Sequence, residues 1–311
     1  MTLSPSHIRS RVSTLSLTLA AVLTTSLLAP ALAAAVEINE EFKPQEEFKL
    51  EPWIPLQIGG IDMSINKAVF LLMLSGFLTC FTMLYMSHKL KAKPGKVQAL
   101  FEMAYDVAYN QITRDNIEKE KYAQRWFPFL IALFFFILFN NFIGFIPLPL
   151  DSKHELTVPG INIEVNALAI YAATANISVP LVLTLVVWVS YNWEGVRNKG
   201  MFDYLAGFVP GSVPTLLKPA MFFLEILSHL VRIVSLSARL FANMLAGHLL
   251  ILLMGGGMAI LLGSAIVGVV TAPIAIAFYI FEVVIVAGLQ AFIFAILSGI
   301  YIGEAVADGG H

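Results

Sequence analysis

The stretch from Lys218 to Leu253, KPAMFFLEILSHLVRIVSLSARLFANMLAGHLLILL, sets ionisable side chains inside an apolar run long enough to cross a bilayer. Each such charge costs at least about 2.5 kcal/mol at mid-helix, so function is the default reading. With successive residues about 100° apart and Glu225 as origin, His229 falls at about 40°, Arg232 at about −20°, Arg239 at about −40° and Asn243 at about 0°. These residues form one polar stripe, bordered by Ser228 and Ser235, while Phe, Leu, Ile and Met fill the other faces. A stripe of this kind lines a water path or meets a polar partner.

Arg239 is the deepest of these charges, and strongly apolar sequence follows it until Glu282. A guanidinium keeps its proton at every physiological pH, so it attracts a carboxylate and repels a hydronium but relays nothing. The competing reading, an internal ion pair, needs an acid within reach, and Glu225 is about four helical turns away. Glu282, in TAPIAIAFYIFEVVIVAGLQAFIF, has no charged neighbour in sequence. Its expected partner is His248, whose angle of about 140° points off the Arg239 stripe and towards the last helix. For His248 the alternative is a lone helix-packing histidine, and for Asn243 an interhelical amide bond. For Glu225 and Arg232 it is a surface ion pair or a snorkelling base. His229 has no second histidine or cysteine at ligand spacing to support a metal.

These residues need apolar elements to hold them, and the composition supplies them. Of 311 residues 58% are hydrophobic and 13% charged, with a mean hydropathy of +0.79, which marks an integral membrane protein. A net charge of −2 without a basic surface excludes nucleic-acid binding. The single cysteine, Cys80, excludes an internal disulfide or a multi-cysteine metal site. No glycine-rich loop ends in Lys-Ser/Thr, so any nucleotide chemistry this protein takes part in happens on another subunit, and no cofactor is expected.

The fold expected is all-α and polytopic. Residues 67–87, 126–148 and 165–190 make three spans, and the long region 212–306 makes two more, divided at Gly255-Gly256-Gly257. The segment VQALFEMAYDVAYNQI has helical apolar spacing and is expected as an amphipathic helix on the membrane surface. Residues 1–35 have a basic start, an apolar stretch and a small-residue site around Ala31-Leu32-Ala33, and read as a cleaved export signal. An organelle transit peptide is the alternative, since the segment is Ser-rich, carries Arg9 and Arg11 and has no acid. Residues 36–65 form an acidic outer extension, 66–307 the membrane domain and 308–311 a tail. Lys89, Lys91, Lys93, Lys96, Arg114, Lys119, Lys121 and Arg125 crowd the loop between the first two spans, whereas 149–164 holds only Lys153. The first loop is therefore expected in the cytoplasm, with the mature N-terminus outside and the C-terminus inside.

The segment SLSARLFANMLAGHLL resembles the signature of subunit a of bacterial-type F1Fo ATP synthases. The likeness continues in LQAFIFAILSGIYIGEA and, more weakly, in NNFIGFIP and ATANIS, so it anchors residues 66–307 and leaves the first 65 uncovered. The resemblance implies a proton-channel stator, no enzyme on its own, whose last two long, tilted helices face a rotating ring of c subunits. It implies that Arg239 is the essential arginine facing a ring carboxylate and that Asn243 lines the channel. His248 would hold the position of a titratable group that exchanges roles with Glu282, and Gln290 would complete the outer half-channel. Glu225 and Arg232 would wet the inner one. Glu282 lies eight residues before Gln290 where seven is usual, and a one-residue π-bulge near Ala287-Gly288 would restore a common face. Implied partners are the c-ring, b-type peripheral stalk subunits, the F1 sector, protons and lipid. The implied location is a bacterial inner membrane, with an organelle energy-coupling membrane as alternative. An ion-coupled secondary transporter is the rival class, and a non-transporting scaffold is a third; the transporter class predicts inverted repeats or matched broken helices, and the sequence has neither.

Overall fold

The computed structural model describes residues 50, 52–55, 57–58, 61–62, 64–88, 95–146, 153–158, 161–166, 171–209, 213–254 and 265–307. Among them five helices are long and apolar enough to cross a membrane: Lys67–Met86, Glu120–Gly144, Ser178–Lys199, Lys218–Leu252 and Val270–Val306. The all-α, polytopic architecture follows. The expected signal segment, the glycine break at 255–257 and the tail at 308–311 lie outside the described residues.

Short strands β1 (Pro52–Ile54), β2 (Gln57–Ile58), β3 (Ile61–Asp62) and β4 (Ile65–Asn66) form two antiparallel pairs, β1 with β4 and β2 with β3. Helix α1 (Lys67–His88) follows directly, the Asn66 Oδ1 accepting the Val69 N–H at 3.0 Å. Helix α2 (Lys96–Asp106) continues as a π-helical segment, Val107–Arg114, and α3 is Glu120–Gly144. Strands β5 (Lys153–Val158) and β6 (Ile161–Asn166) make an antiparallel hairpin pairing Lys153 with Asn166 and Val158 with Ile161. Helix α4 (Ser178–Lys199) ends at Gly200, whose φ of 87° is the left-handed conformation that favours glycine, and the short α5 (Met201–Ala206) turns off there. Then come α6 (Lys218–Leu252), α7 (Ala265–Phe281), a π-helical turn Glu282–Val286 and α8 (Ala287–Val306).

Several span boundaries differ from expectation, among them the third span's end, at Lys199 rather than 190, and the fourth span's start, at Lys218 rather than 212. The third span starts at Ser178 rather than 165, because residues 161–166 pair as β6. Apolar character alone does not separate strand from helix in a run this short. The second starts at Glu120 rather than 126, since a helix can carry its charged first turns past the edge of the hydrocarbon.

The chain divides into two compact units, residues 45–250 with 277–311 and residues 1–44 with 251–276. In the first, α3 packs against both α1 and α8, and α8 packs also against α4 and the 107–114 segment. Leu71, Leu130, Ile131, Phe135, Ile137 and Phe294 are buried in this bundle. Gly299 and Gly303, one turn apart on α8, let the backbone carbonyls of Ile112 and Asn116 approach so closely that a Cβ at either glycine would collide with them. Small residues at this spacing bring backbones together where lipid supplies no hydrophobic drive. Ala108, Ile112 and Thr113 are buried, so the amphipathic segment is half embedded in the bundle, while Leu100 and Met103 stay exposed. In the second unit the described residues are 251–254 and 265–276, the latter with Pro273 inside the helix.

Helix α6 is the exception to this packing. At about 1.5 Å per residue its 35 residues run about 52 Å, against about 30 Å of hydrocarbon. Only 11% of its apolar window is buried, compared with 56% in α3. Leu236, Leu240, Met244 and His248, four residues apart, form its buried edge. Phe223, Leu227, Leu230, Val231 and Val234 remain exposed.

Candidate functional site

Arg239 lies on the exposed part of α6 and makes no ion pair among the described residues. Its charge therefore stands on the polar stripe of α6, on a face left exposed among the described residues. Polar groups gather on either side of it along the helix: Arg232 is about 10 Å towards the N-terminal end and His248 about 14 Å towards the C-terminal end. Asn243, one turn from Arg239, is half-buried.

The first cluster joins α3, α6 and the turn before α8. His248 is buried, with Nδ1 2.8 Å from the Met244 carbonyl and Nε2 3.1 Å from the Gly144 carbonyl. Its ring stacks on Phe145 at a centroid distance of 4.7 Å. A neutral imidazole donates from only one nitrogen, so which carbonyl it bonds is set by its tautomer. Glu282 stands at the start of the π-helical turn, and its carboxyl lies against Gly247. A Cβ on Gly247 would sit 2.6 Å from the Glu282 Cδ and Oε2. Oε2 is buried without a hydrogen-bond partner among the described residues.

Among the described residues the His248 ring nitrogens face two backbone carbonyls, while the Glu282 carboxyl lies against the neighbouring Gly247. Gly247 faces the Glu282 turn, while His248 faces the end of α3. A single-helix angle gives rotation about its own axis but does not say which neighbour occupies that direction. The one-residue π-bulge expected near Ala287-Gly288 is present at Glu282–Val286, a turn earlier, and Gln290 beyond it is buried. Its end is tied down by Asn141, whose Nδ2 donates to the Ala287 carbonyl at 3.2 Å while its Oδ1 accepts from Thr174 Oγ1 at 3.0 Å. NNFIGFIP and ATANIS, far apart in sequence, therefore meet at this point. Neither Asn141 nor Thr174 was singled out from the sequence, where the run of apolar neighbours hid them.

The second cluster surrounds a cavity of about 770 Å³. Helix α6 contributes Glu225, His229 and Arg232; α4 contributes Tyr191, Asn198 and Lys199; α5 and its following turn contribute Asp203, Tyr204 and Phe208; α8 contributes Tyr301 and Glu304. Arg232 donates to Glu304 Oε2 at 2.7 Å, and its guanidinium lies over the Tyr301 ring at 4.7 Å. Glu225 Oε1 is 3.6 Å from His229 Nε2, and the Tyr191 hydroxyl is 2.8 Å from His229 Nδ1. Burial pushes the Tyr204 phenol up to about 12, so across physiological pH it keeps its proton and donates it to Asn192 Oδ1 at 3.0 Å. Sequence reading found the α6 contributors, through their stripe. It missed Glu304, Tyr191, Tyr204 and Tyr301, because only the fold brings four elements to one cavity. Among the described residues no group of three or more His, Cys, Asp or Glu is placed to hold a metal ion.

The family model described as ATP synthase A chain matches residues 68–303. ATP synthase subunit a of Rubrobacter xylanophilus is 34% identical over 283 residues, covering 88% of this chain and 98% of the relative. The proteins of the same name from Beijerinckia indica and Brucella ovis are 31% and 33% identical, each covering 86% of this chain and 98% of the relative.

Proposed function

Because the chain belongs to the ATP synthase A chain family, we propose that it is the multi-pass, proton-conducting stator of the Fo sector, with Arg239 facing the carboxylates of a rotating c-ring. The observation that carries this reading is Arg239 itself: a permanent charge on an exposed face of an otherwise apolar helix, with polar clusters on both sides along the helix. Such a charge is stable in a membrane when a partner brings an acid to it. A proton enters from the outer side past Glu282, His248, Asn243 and Gln290 and neutralises a ring carboxylate, which then moves into lipid. A carboxylate completing the turn gives its proton to the cavity of Glu225 and Arg232 and meets Arg239. The guanidinium blocks leakage between the two paths. Each elementary charge crossing 100 mV supplies about 2.3 kcal/mol, so several cross per ATP, and the ATP chemistry belongs to other subunits.

In this reading the partners are the c-ring, b-type stalk subunits and the F1 sector. The protein lies in a bacterial inner membrane with the mature N-terminus outside and the C-terminus in the cytoplasm, after removal of residues 1–35; residues 36–65 are its outer extension and 66–307 its membrane domain. The family assignment does not favour the secondary transporter. Purification through an affinity tag on this chain tests the reading: a ring of small hairpin subunits and an ATP-hydrolysing sector should co-purify, and the reconstituted complex should acidify vesicles on ATP addition. A chain that transports ions alone, without a ring, would overturn it.

A further inference from the structure

We infer that His229 is a proton-accepting station of the inner cavity, passing protons between Glu225 and cavity water while Tyr191 holds its ring. The inference rests on the stator reading and adds a residue to it. His229 is buried at 9% exposure but lines the 770 Å³ cavity, so it combines a fixed position with access to space that water can fill. Phe208 stacks on it at 4.9 Å, leaving the ring plane defined and its two nitrogens pointing to different partners.

The chemistry follows from those partners. With Nδ1 donating to the Tyr191 oxygen at 2.8 Å, the lone pair sits on Nε2, on the side of Glu225. The 3.6 Å gap to Oε1 is ion-pair distance, and a small rotation of the carboxyl closes it to a hydrogen bond. A proton held as the Glu225 acid moves to Nε2, leaving a carboxylate beside an imidazolium. That proton then leaves Nε2 for cavity water, and Glu225 takes up the next. Neither group keeps a net charge change over a cycle, and the Tyr191 bond persists throughout. Histidine suits the step because its intrinsic proton affinity lies near neutral pH, unlike that of a carboxyl or a guanidinium.

The surrounding charges are mixed in sign. Arg232 lies on the same helix and is bonded to Glu304 of α8. Tyr301 comes from α8, Lys199 from α4, and Asp203 and Tyr204 from α5. The Arg232–Glu304 pair cancels locally, so Glu225 is the charge that remains nearest the ring on its own helix.

The test is ATP-driven pumping in inverted vesicles of the whole complex, with the bathing pH on the cavity side varied from about 6 to about 9. His229→Gln keeps an amide to meet Tyr191 but cannot titrate; it is expected to slow pumping about tenfold and to flatten the neutral-range pH dependence. Tyr191→Phe removes only the hydroxyl that fixes the ring and is expected to move the midpoint of the pH profile in a fully assembled complex. If His229→Gln does not assemble, the Tyr191→Phe profile decides. A rate and pH profile like those of the parent chain, in assembled His229→Gln or in Tyr191→Phe, would overturn the inference. Arg239→Ala in the same vesicles separates the two levels: if it still pumps, the stator reading fails, and if it does not while His229→Gln behaves as the parent, only the station fails.

Discussion

At the scale of the residue, the Glu282 carboxyl has room only because position 247 carries no side chain. A valine there would place atoms where the Glu282 carboxyl stands, since even a Cβ would approach it to 2.6 Å. Gly247→Val is therefore expected to cut ATP-driven pumping about tenfold or more in assembled complexes, by displacing the carboxyl proposed as a proton carrier by about an ångström. Gly288→Ala is the control, because a Cβ at Gly288 meets nothing within 4 Å. Equal rates for the two variants would show that the Glu282 position does not matter. The polar stripe of α6 was legible in the sequence because charge in an apolar helix is conspicuous and helical angles are fixed. What Glu282 and His248 touch was not legible. Their partners are a glycine and backbone carbonyls, which carry no side-chain signal.

At the scale of the element, the extra residue between Glu282 and Gln290 is absorbed as a π-helical turn rather than as a rotated helix. Asn141 holds its end, fully buried, with one bond to the Ala287 carbonyl and one from Thr174. Asn141→Leu strands both partners in the interior and is expected to destabilise the bundle by about 1–3 kcal/mol. Thermal unfolding of the detergent-purified complex reads this as a lower midpoint, and an unchanged midpoint would contradict it. Helix α5 offers a pH test. With the Tyr204 phenol up at about 12 when folded and near 10 unfolded, the folded state holds a proton that the unfolded chain gives up in between. Stability should therefore fall as pH rises from about 10 to about 12, and Tyr204→Phe should lessen that fall. The sequence carried the need for a bulge through an eight-residue spacing, yet missed its place by a turn, since a π-bulge leaves no composition of its own. The start of the third span was misplaced for a similar reason: a short apolar strand and a helix look alike until pairing decides.

At the scale of the whole molecule, the five apolar spans among the described residues, an open α6 face and two polar clusters along one helix suit a static element beside a moving partner. The five-span plan was readable from hydropathy, but the cavity was not, because its lining comes from four elements that are distant in sequence. The proposed orientation rests on the lysine-rich first loop: in a Cys80→Ser background, a cysteine at Glu118 should react with an impermeant maleimide only from the cytoplasmic side, and one at Glu155 only from outside. Reversed labelling would invert the assignment of the two proton paths. The central claim is that the exposed Arg239 works against ring carboxylates and separates those paths. Its most direct measurement is ATP-driven proton pumping by Arg239→Ala in vesicles where the complex is shown by subunit content to be fully assembled. The account predicts that pumping is abolished while assembly is intact; pumping at the parent rate would contradict it.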